Sequence, residues 1–405
     1  MWIEKLALEG FRNYDSAALE LDPGLNLVVG RNAQGKTNLL EAVHCFGGLG
    51  SPRSPDSALV KDGAERAVLH AEVVRETRHV RVDLEFRHGR GMRALLNGTP
   101  IARGKVLSEL VVTVFFGPDE LSLVKGSPDG RRRFLDELIV KLRPIRQDLR
   151  REWERTLKQR NALLRSPSRK ADPRASLAGL EVWDDALCRS GAALTVARLD
   201  ALASLAPHVT KRYEEIAGGG RLELDYEASW LREGYARSAL LEPAILDVHE
   251  VAAMLNDAIE VHRTRELERG LSLVGPHRDD VMVKLASAGI AGAPLLEARG
   301  FASQGDQRTS ALALKLAEHD LLTQVRDEHP ILLLDDVFSE LDPQRREWLA
   351  DAVRGLGQTL VSSAEPGSLE AARAQRVISV SGGELRVEEG PSAAEAHSAA
   401  EGRSG

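Results

Sequence analysis

Two cysteines, Cys45 and Cys188, stand in 405 residues, which excludes a disulfide scaffold and suits a reducing compartment. Aromatics make up 4% of the chain against 43% apolar residues overall, so the core must be mainly aliphatic. No apolar run approaches the length of a membrane span. The opening MWIEKLALEGF carries acids and reads as a strand, unlike a basic segment followed by an apolar signal. The expectation is a cytoplasmic protein with no membrane partner. Net positive charge is lacking too: the formal charge is −7, which argues against indiscriminate nucleic-acid binding. Charge is unevenly placed, however. Residues 131–170 hold fourteen Lys or Arg against five Asp or Glu, and such asymmetry says more about partners than the total does. Internal repeats are absent, and no heptad pattern extends beyond a few turns.

Strands are expected at 3–10, 17–21 and 25–29, followed by a glycine-bounded loop and a helix from about Lys36. Alternating stretches in 66–97 predict an antiparallel sheet with Asn97–Gly98 as a hairpin turn, and LVVTVFF predicts a strand ending at Gly117–Pro118. Helical patterns then dominate from Ser127, a cap with Pro128 in the first turn, to about residue 217, with a loop at 165–176. RLELDYEASW reads as a strand, 248–268 as a helix, and LSLVG and VMVKLA as strands. A helix follows from Ser303, with Asp306 completing a capping box. PILLLDD is a buried strand, RVISVSGGELRVEE a hairpin, and 390–405, small and polar, a disordered tail.

The chemistry concentrates in GRNAQGKT at 30–37, a G-x4-G-K-T loop after the apolar strand LNLVV and before an apolar helix. That context makes the motif credible. Backbone N–H groups of Arg31, Asn32, Ala33, Gln34, Gly35 and Lys36 would cradle phosphates, with Gly30 just before them and Asn38 just beyond, both also in the nucleotide-binding set. Lys36 would reach the β- and γ-phosphates of ATP, and Thr37 would ligate Mg²⁺. ILLLDD supplies the matching acids: Asp335 to hold Mg²⁺ and Asp336 to polarise the attacking water. Asp335 lies 299 residues after Lys36, so a large insertion must interrupt the nucleotide sheet. Ser-x-Gly at 303–305 opens a helix whose free N–H groups and dipole suit an anion.

A nucleotide head split by a helical insertion, with a Ser-x-Gly helix start about thirty residues before the second acid strand, resembles the ABC-type ATPases. Within them the chain is similar to the RecF family of bacterial recombinational-repair proteins through GRNAQGKTNLLEAV, LVKGSPDGRRRFLDE, LKQRNALL, LVGPHRDD, SQGDQRTSALALKLAE and ILLLDDVFSELD. The resemblance implies an α/β fold: an ABC-type P-loop ATPase head (1–118 with 296–389) and a large, mainly helical inserted lobe (119–295). It implies an ATP-dependent homodimer in which Ser303 and Gly305 of one copy contact the γ-phosphate held by Lys36 of the other. SELD at 339–342, ending in Asp342, matches the D-loop that crosses the dimer axis. It further implies DNA as partner, at single-strand gaps or ss/dsDNA junctions without sequence preference, together with the RecO and RecR mediators. Three departures bear on rate. Asp306 stands where the family usually has glutamine, TLVSSAEP offers Ser362 and Ser363 and no histidine, and Asp336 is one methylene shorter than the usual glutamate. All three point to slow hydrolysis, a switch more than a motor. The alternative class is the nucleotide-binding subunit of an ABC transporter.

Arg131, Arg132, Arg133, Lys158 and Arg160 are the candidate DNA contacts in the basic segment, for phosphate and not base readout. Three consecutive arginines on a helix fan over about 200° and cannot all meet one surface. His277, Asp279 and Asp280 of GPHRDD suggest a metal site, but adjacent residues diverge, and a turn between the LSLVG and VMVKLA strands is the simpler reading. Arg53 is either a phosphate-side arginine or surface charge.

Overall fold

The computed structural model describes residues 1–166, 173–228, 230, 247–286, 294–364 and 374–389. The tail expected at 390–405 lies outside them. The chain divides into two compact units, one of Met1–Glu120 with the chain from Ala311 onward, the other Leu121–Ser310.

The first unit is built on two sheets. β1 (Trp2–Phe11), β2 (Tyr14–Glu20), β4 (Arg66–Arg75), β5 (Arg78–Arg87), β6 (Arg90–Leu96) and β7 (Thr99–Ile101) form an antiparallel sheet in the order β2-β1-β4-β5-β6-β7. Asn97 and Gly98 both have positive φ at the β6–β7 turn, the pair expected of a two-residue hairpin. The second sheet holds β3 (Leu25–Val29), β8 (Thr113–Phe116), β12 (Ile331–Asp335), β13 (Thr359–Ser363), β14 (Arg376–Ser381) and β15 (Glu384–Glu389). Its order is β15-β14-β3-β13-β12-β8, parallel except for β15. β3, β12 and β13 are buried along their whole length, the pattern of a parallel strand covered on both faces. A single aliphatic core joins Leu6, Leu8 and Leu84 of the first sheet to Val28, Leu333 and Leu360 of the second through Leu39, Leu40 and Val43 of the helix Lys36–Cys45. Buried Gln358 bonds both backbone groups of Ile3, pinning β1 beside β13.

The strand expected across LVVTVFF begins only at Thr113. Arg103–Leu110 is a helix that the sequence reading missed, because its glycine and serine disguise the period.

The second unit is mainly helical: Pro128–Leu142, Asp148–Arg165, the 45-residue Pro173–Ala217 and Val248–Arg269. These pack with a small antiparallel sheet of β9 (Arg221–Glu227), β10 (Asp280–Ala286) and β11 (Leu296–Glu297), ordered β11-β10-β9. Ser127 holds the N-cap position without a side-chain bond, and Pro128 fills the first turn. LSLVG, expected as a strand, is irregular. Its donors go to side chains instead: the Ser272 N–H to Asn161 Oδ1 at 2.7 Å and the Leu273 N–H to Glu266 Oε1 at 2.7 Å. Residues 296–310, read from sequence as the head returning, cluster with this second unit.

Candidate functional site

The loop 30–37 follows β3 and turns through left-handed backbone at Ala33 (φ 63°) and Gly35 (φ 120°). A Cβ on Gly35 would lie 2.6 Å from Asn13 Nδ2, so only glycine fits there. Gly35 also occupies the N-cap of Lys36–Cys45 and provides no side-chain cap. The first N–H groups of this helix therefore keep their capacity for an anion. Lys36 is buried and folds back on the loop, its Nζ donating to the carbonyls of Gly30 (2.8 Å) and Arg31 (3.3 Å). Arg31, Asn32 and Ala33 are exposed at the rim, while Gln34 and Asn38 are half-buried.

Residues outside the motif hold the loop in shape. Asn13 Nδ2 donates to the Gln34 carbonyl, Tyr14 Oη donates to the Gly35 carbonyl, and Asn38 Nδ2 donates to Asn13 Oδ1. Burial raises the Tyr14 phenol well above its ordinary range, so it stays a donor. No motif marks these two in the sequence: Asn13 lies in the short turn between β1 and β2, and Tyr14 opens β2.

At the end of β12, Asp335 is 4% exposed and meets Thr37, whose Oγ1 donates to Asp335 Oδ1 at 3.0 Å. Parallel pairing places Asp335 opposite Ser362 of β13, and Ser362 Oγ donates to the same carboxylate oxygen at 2.7 Å. Desolvation pushes the Asp335 carboxyl upward, against the two hydroxyl donors and Arg53, which pull it down. A buried carboxylate raised in this way, with a hydroxyl oxygen beside it, is a hard-oxygen set suited to Mg²⁺. Asp336 follows in left-handed backbone (φ 57°), a conformation aspartate tolerates better than most residues. Its N–H donates to Ser362 Oγ, so one serine spans both acids. The Asp336 side chain has no partner among the described residues and is half-buried.

A second missed group frames Arg53. Glu41 is fully buried on the helix after the loop and accepts two bonds from Arg12, at 2.8 Å each, and one from Ser51. Ser51 Oγ in turn accepts the N–H groups of Arg53 and Ser54. Arg53 itself is exposed, and its positive charge acts with the two hydroxyl donors in pulling the Asp335 carboxyl down. The signal was there: Glu41 interrupts the apolar run Leu39–Leu40–Ala42–Val43.

In the second unit, Ser303 and Gly305 are exposed at the start of the helix Gln304–Arg326. Ser303 Oγ accepts the Asp306 N–H at 3.1 Å, the half of the capping box expected of serine. The other half differs: the Asp306 carboxylate accepts the Ser303 hydroxyl proton at 2.8 Å. Asp342 caps the helix Pro343–Ala352 by accepting the Arg345 N–H.

The basic segment needs correction. Arg160, a candidate DNA contact, is 0% exposed: it donates to Asp184 (2.5 Å), Glu266 (2.6 Å) and Ser272 (2.7 Å). Arg131 is buried in a two-pronged pair with Asp280 at 2.8 Å. Neither is available to DNA, because each is itself buried and engaged by carboxylates. Arg132 is engaged too, donating to the Asp279 carbonyl and to Asp129. Arg133 and Lys158 are exposed. Lys158 lies on one helical face with exposed Arg151 and Arg155, at spacings of four and three, opposite buried Trp153, Thr156, Arg160 and Leu164. Arg155 was missed; its helical spacing from Lys158 is the signal.

GPHRDD does not turn between two strands, and among the described residues no group of three or more His, Cys, Asp or Glu is placed to hold a metal ion. The Asp279 carboxylate is buried and accepts from Tyr226 Oη (2.9 Å) and Trp230 Nε1 (3.1 Å).

The RecF/RecN/SMC N terminal domain family matches residues 2–386. The DNA replication and repair protein RecF of Beutenbergia cavernae is 43% identical over 412 residues, covering 96% of this chain and all of the relative. That of Streptomyces avermitilis is 43% identical over 369 residues, covering 90% and 94%. Among solved structures, the recombination mediator protein RecF of the RecFOR pathway matches in complexes named with ATPrS and with ATP. The TM-scores are 0.83 and 0.82 at 26% identity, with coverage of 95% and 96% of this chain and 98% and 97% of those chains. A Pyrococcus furiosus Smc head domain shares the fold alone, with a TM-score of 0.54 at 17% identity. With a split ATPase head and near full-length similarity to such relatives, this chain belongs to the RecF family of DNA replication and repair proteins.

Proposed function

We propose that the protein is a slow ATPase that uses ATP to dimerise on DNA at single-strand gaps or ss/dsDNA junctions and promotes recombinase loading in recombinational repair and replication restart. The observation that carries the reading is the convergence of Lys36, Thr37, Asp335 and Ser362 at the ends of neighbouring parallel strands, beside a helix start without a side-chain cap. The loop N–H groups and Lys36, released from the Gly30 carbonyl, bind the triphosphate. Thr37 and Asp335 would hold Mg²⁺, which when bound neutralises phosphate charge. Asp336, with no partner among the described residues, orients the attacking water, and Arg53 faces the phosphate side. Ser303 and Gly305 of a second copy close over the γ-phosphate, and Asp342 lies at the dimer axis.

Slow turnover follows from Asp336 and from Asp306, which engages the Ser303 hydroxyl. The head is taken as 1–118 with 296–389 and the inserted lobe as 119–295. RecO and RecR are carried over as partners from the RecFOR context of the structural relatives. Exposed Arg133, Arg155 and Lys158 contact the DNA backbone without reading sequence. Family membership removes the transporter-subunit alternative.

Sedimentation with and without a non-hydrolysable ATP analogue tests the reading. Wild type should dimerise with nucleotide, and Lys36→Met and Ser303→Arg should stay monomeric with unchanged melting. Dimerisation indifferent to both substitutions would refute the cross-copy site.

A further inference from the structure

GPHRDD has a construction that the nucleotide site does not use. Gly275 has φ +127°, and a Cβ there would lie 2.7 Å from the Trp153 ring, so the backbone must pass bare against the indole. The Pro276 carbonyl accepts Arg198 Nη1 at 2.7 Å, while Arg198 is paired with Asp136 at 2.7 and 3.0 Å. The His277 ring lies 5.6 Å from Trp153 and bonds the Ser272 carbonyl through Nε2. Asp279 and Asp280 are both committed, to Tyr226 and Trp230 and to Arg131. Arg278 sits among these five residues with its backbone N–H closing a turn on Gly275 O at 2.8 Å. Its side chain is exposed, and no acid pairs with it among the described residues.

Exposed arginines are common, and most are solvated charge. This one differs in its support. Every neighbour in the loop is held by a hydrogen bond or ring contact, and both carboxylates that follow it are engaged by other donors. A guanidinium on a preset backbone loses little freedom on binding and offers two parallel donors to an oxyanion. The frame also reaches toward Ser303. Arg131, which holds Asp280, donates to the Gly126 carbonyl at 3.0 Å, just after the helical turn Ser122–Lys125. That turn packs on Ala298–Phe301, which packs on β10 and leads into Ser303.

We infer that Arg278 is a phosphate-binding residue of the second unit, displayed by the GPHRDD loop to receive a phosphate oxyanion from outside the unit. Two sources share this chemistry: the nucleotide of another copy and the DNA backbone. The inference rests on the proposed ATP- and DNA-binding function.

The test compares wild type with Arg278→Ala, Arg278→Lys and Arg265→Ala, the last removing one exposed helical arginine as a charge control. One arm titrates dimerisation with a non-hydrolysable ATP analogue; the other titrates a duplex oligonucleotide across salt. Arg278→Ala should weaken one arm about tenfold, the scale of a missing charge-assisted bond, with unchanged melting and with Arg265→Ala near wild type. Loss confined to the nucleotide arm identifies the nucleotide as source. Loss confined to the DNA arm, with the salt slope reduced by about one, identifies the backbone. Should the alanine variant melt early, Arg278→Lys decides, because it keeps the charge and loses the fork: affinity below wild type supports the assignment, and wild-type affinity overturns it. Equal effects of Arg278→Ala and Arg265→Ala, or no effect in either arm, also overturn it. Lys36→Met runs alongside: if it abolishes dimerisation while Arg278→Ala changes neither arm, the assignment fails and the function stands. If wild type itself neither dimerises nor binds DNA, both fall.

Discussion

The two units put their most conspicuous charges to different use. In the first, the groups that matter stand where strands end: Lys36 rests on two loop carbonyls, Thr37 shares one carboxylate oxygen with Ser362, and Asp336 has no side-chain partner among the described residues. In the second, charge turns inward. Arg160 and Arg198 are matched to carboxylates in the interior, and buried Arg131 to half-buried Asp280. A buried arginine sheds its hydration and must be offset by a buried acid, so the most basic stretch of sequence supplies much of the scaffold. Local charge excess thus locates a unit, while burial decides which of its cations remain for a partner.

The largest expected effect breaks the second unit's interior. Arg160→Ala removes the arginine paired with Glu266 and leaves Asp184 to Arg263 alone, which should cost about 3–5 kcal/mol, read as a lowered thermal or urea midpoint; Lys158→Ala should leave that midpoint in place. A midpoint unmoved by Arg160→Ala would mean that the cluster is not structural.

Acid should sharpen the contrast next. Burial lowers His277 in the second unit and His319 in the first to about 4. Both folded values lie below the ordinary histidine value of about 6.5, so the unfolded chain binds more protons between roughly pH 6.5 and 4. Stability should therefore fall as pH drops through that window and level off below it with respect to these groups. Asp335 has the opposite sign: its raised carboxyl penalises the ionised fold, and acid relieves that penalty. Denaturant midpoints across pH, repeated with His277→Gln and His319→Gln, should show each substitution flattening the acid limb. A limb unchanged in both would remove the histidines as its cause.

A smaller effect concerns DNA. Arg155→Ala with Lys158→Ala should weaken duplex binding several-fold and reduce the salt slope by about two, one for each phosphate no longer neutralised. A flat salt response in wild type would sink the basic-face proposal. The smallest concerns Asp306. Its carboxylate occupies the hydroxyl proton of Ser303, so Asp306→Asn, which removes the negative charge there, should tighten nucleotide-dependent dimerisation a few-fold in sedimentation. Weaker dimerisation would instead make Asp306 a supporting cap.

Much of the first unit was legible because its signals are local. A glycine-rich loop between a buried strand and an apolar helix, and four apolar residues before two acids, carry their meaning in adjacent positions. The supports were less legible. Asn13, Tyr14, Arg12 and Glu41 reach the loop or the helix after it from positions that no spacing rule connects to 30–37. The basic segment misled for a related reason: sequence counts arginines but does not show that Arg160 faces Trp153's side of its helix and Lys158 the other until the partners Asp184 and Glu266 are placed. LSLVG misled because strand-like composition does not reveal that Asn161 and Glu266 take its N–H groups.

The sequence by itself determined the family, the glycine-rich loop, the acid pair and the helix that opens at Ser303, since each is written in contiguous residues whose backbone conformation follows from local sterics and capping. Only the tertiary structure decided which cations are structural and which are exposed, that Ser362 joins Asp335 to Asp336, and that Arg278 alone of its loop has an exposed side chain with no polar partner among the described residues. Those outcomes depend on pairing and burial between residues far apart in the chain, where the cost of desolvating a charge is settled by a partner that no local pattern names.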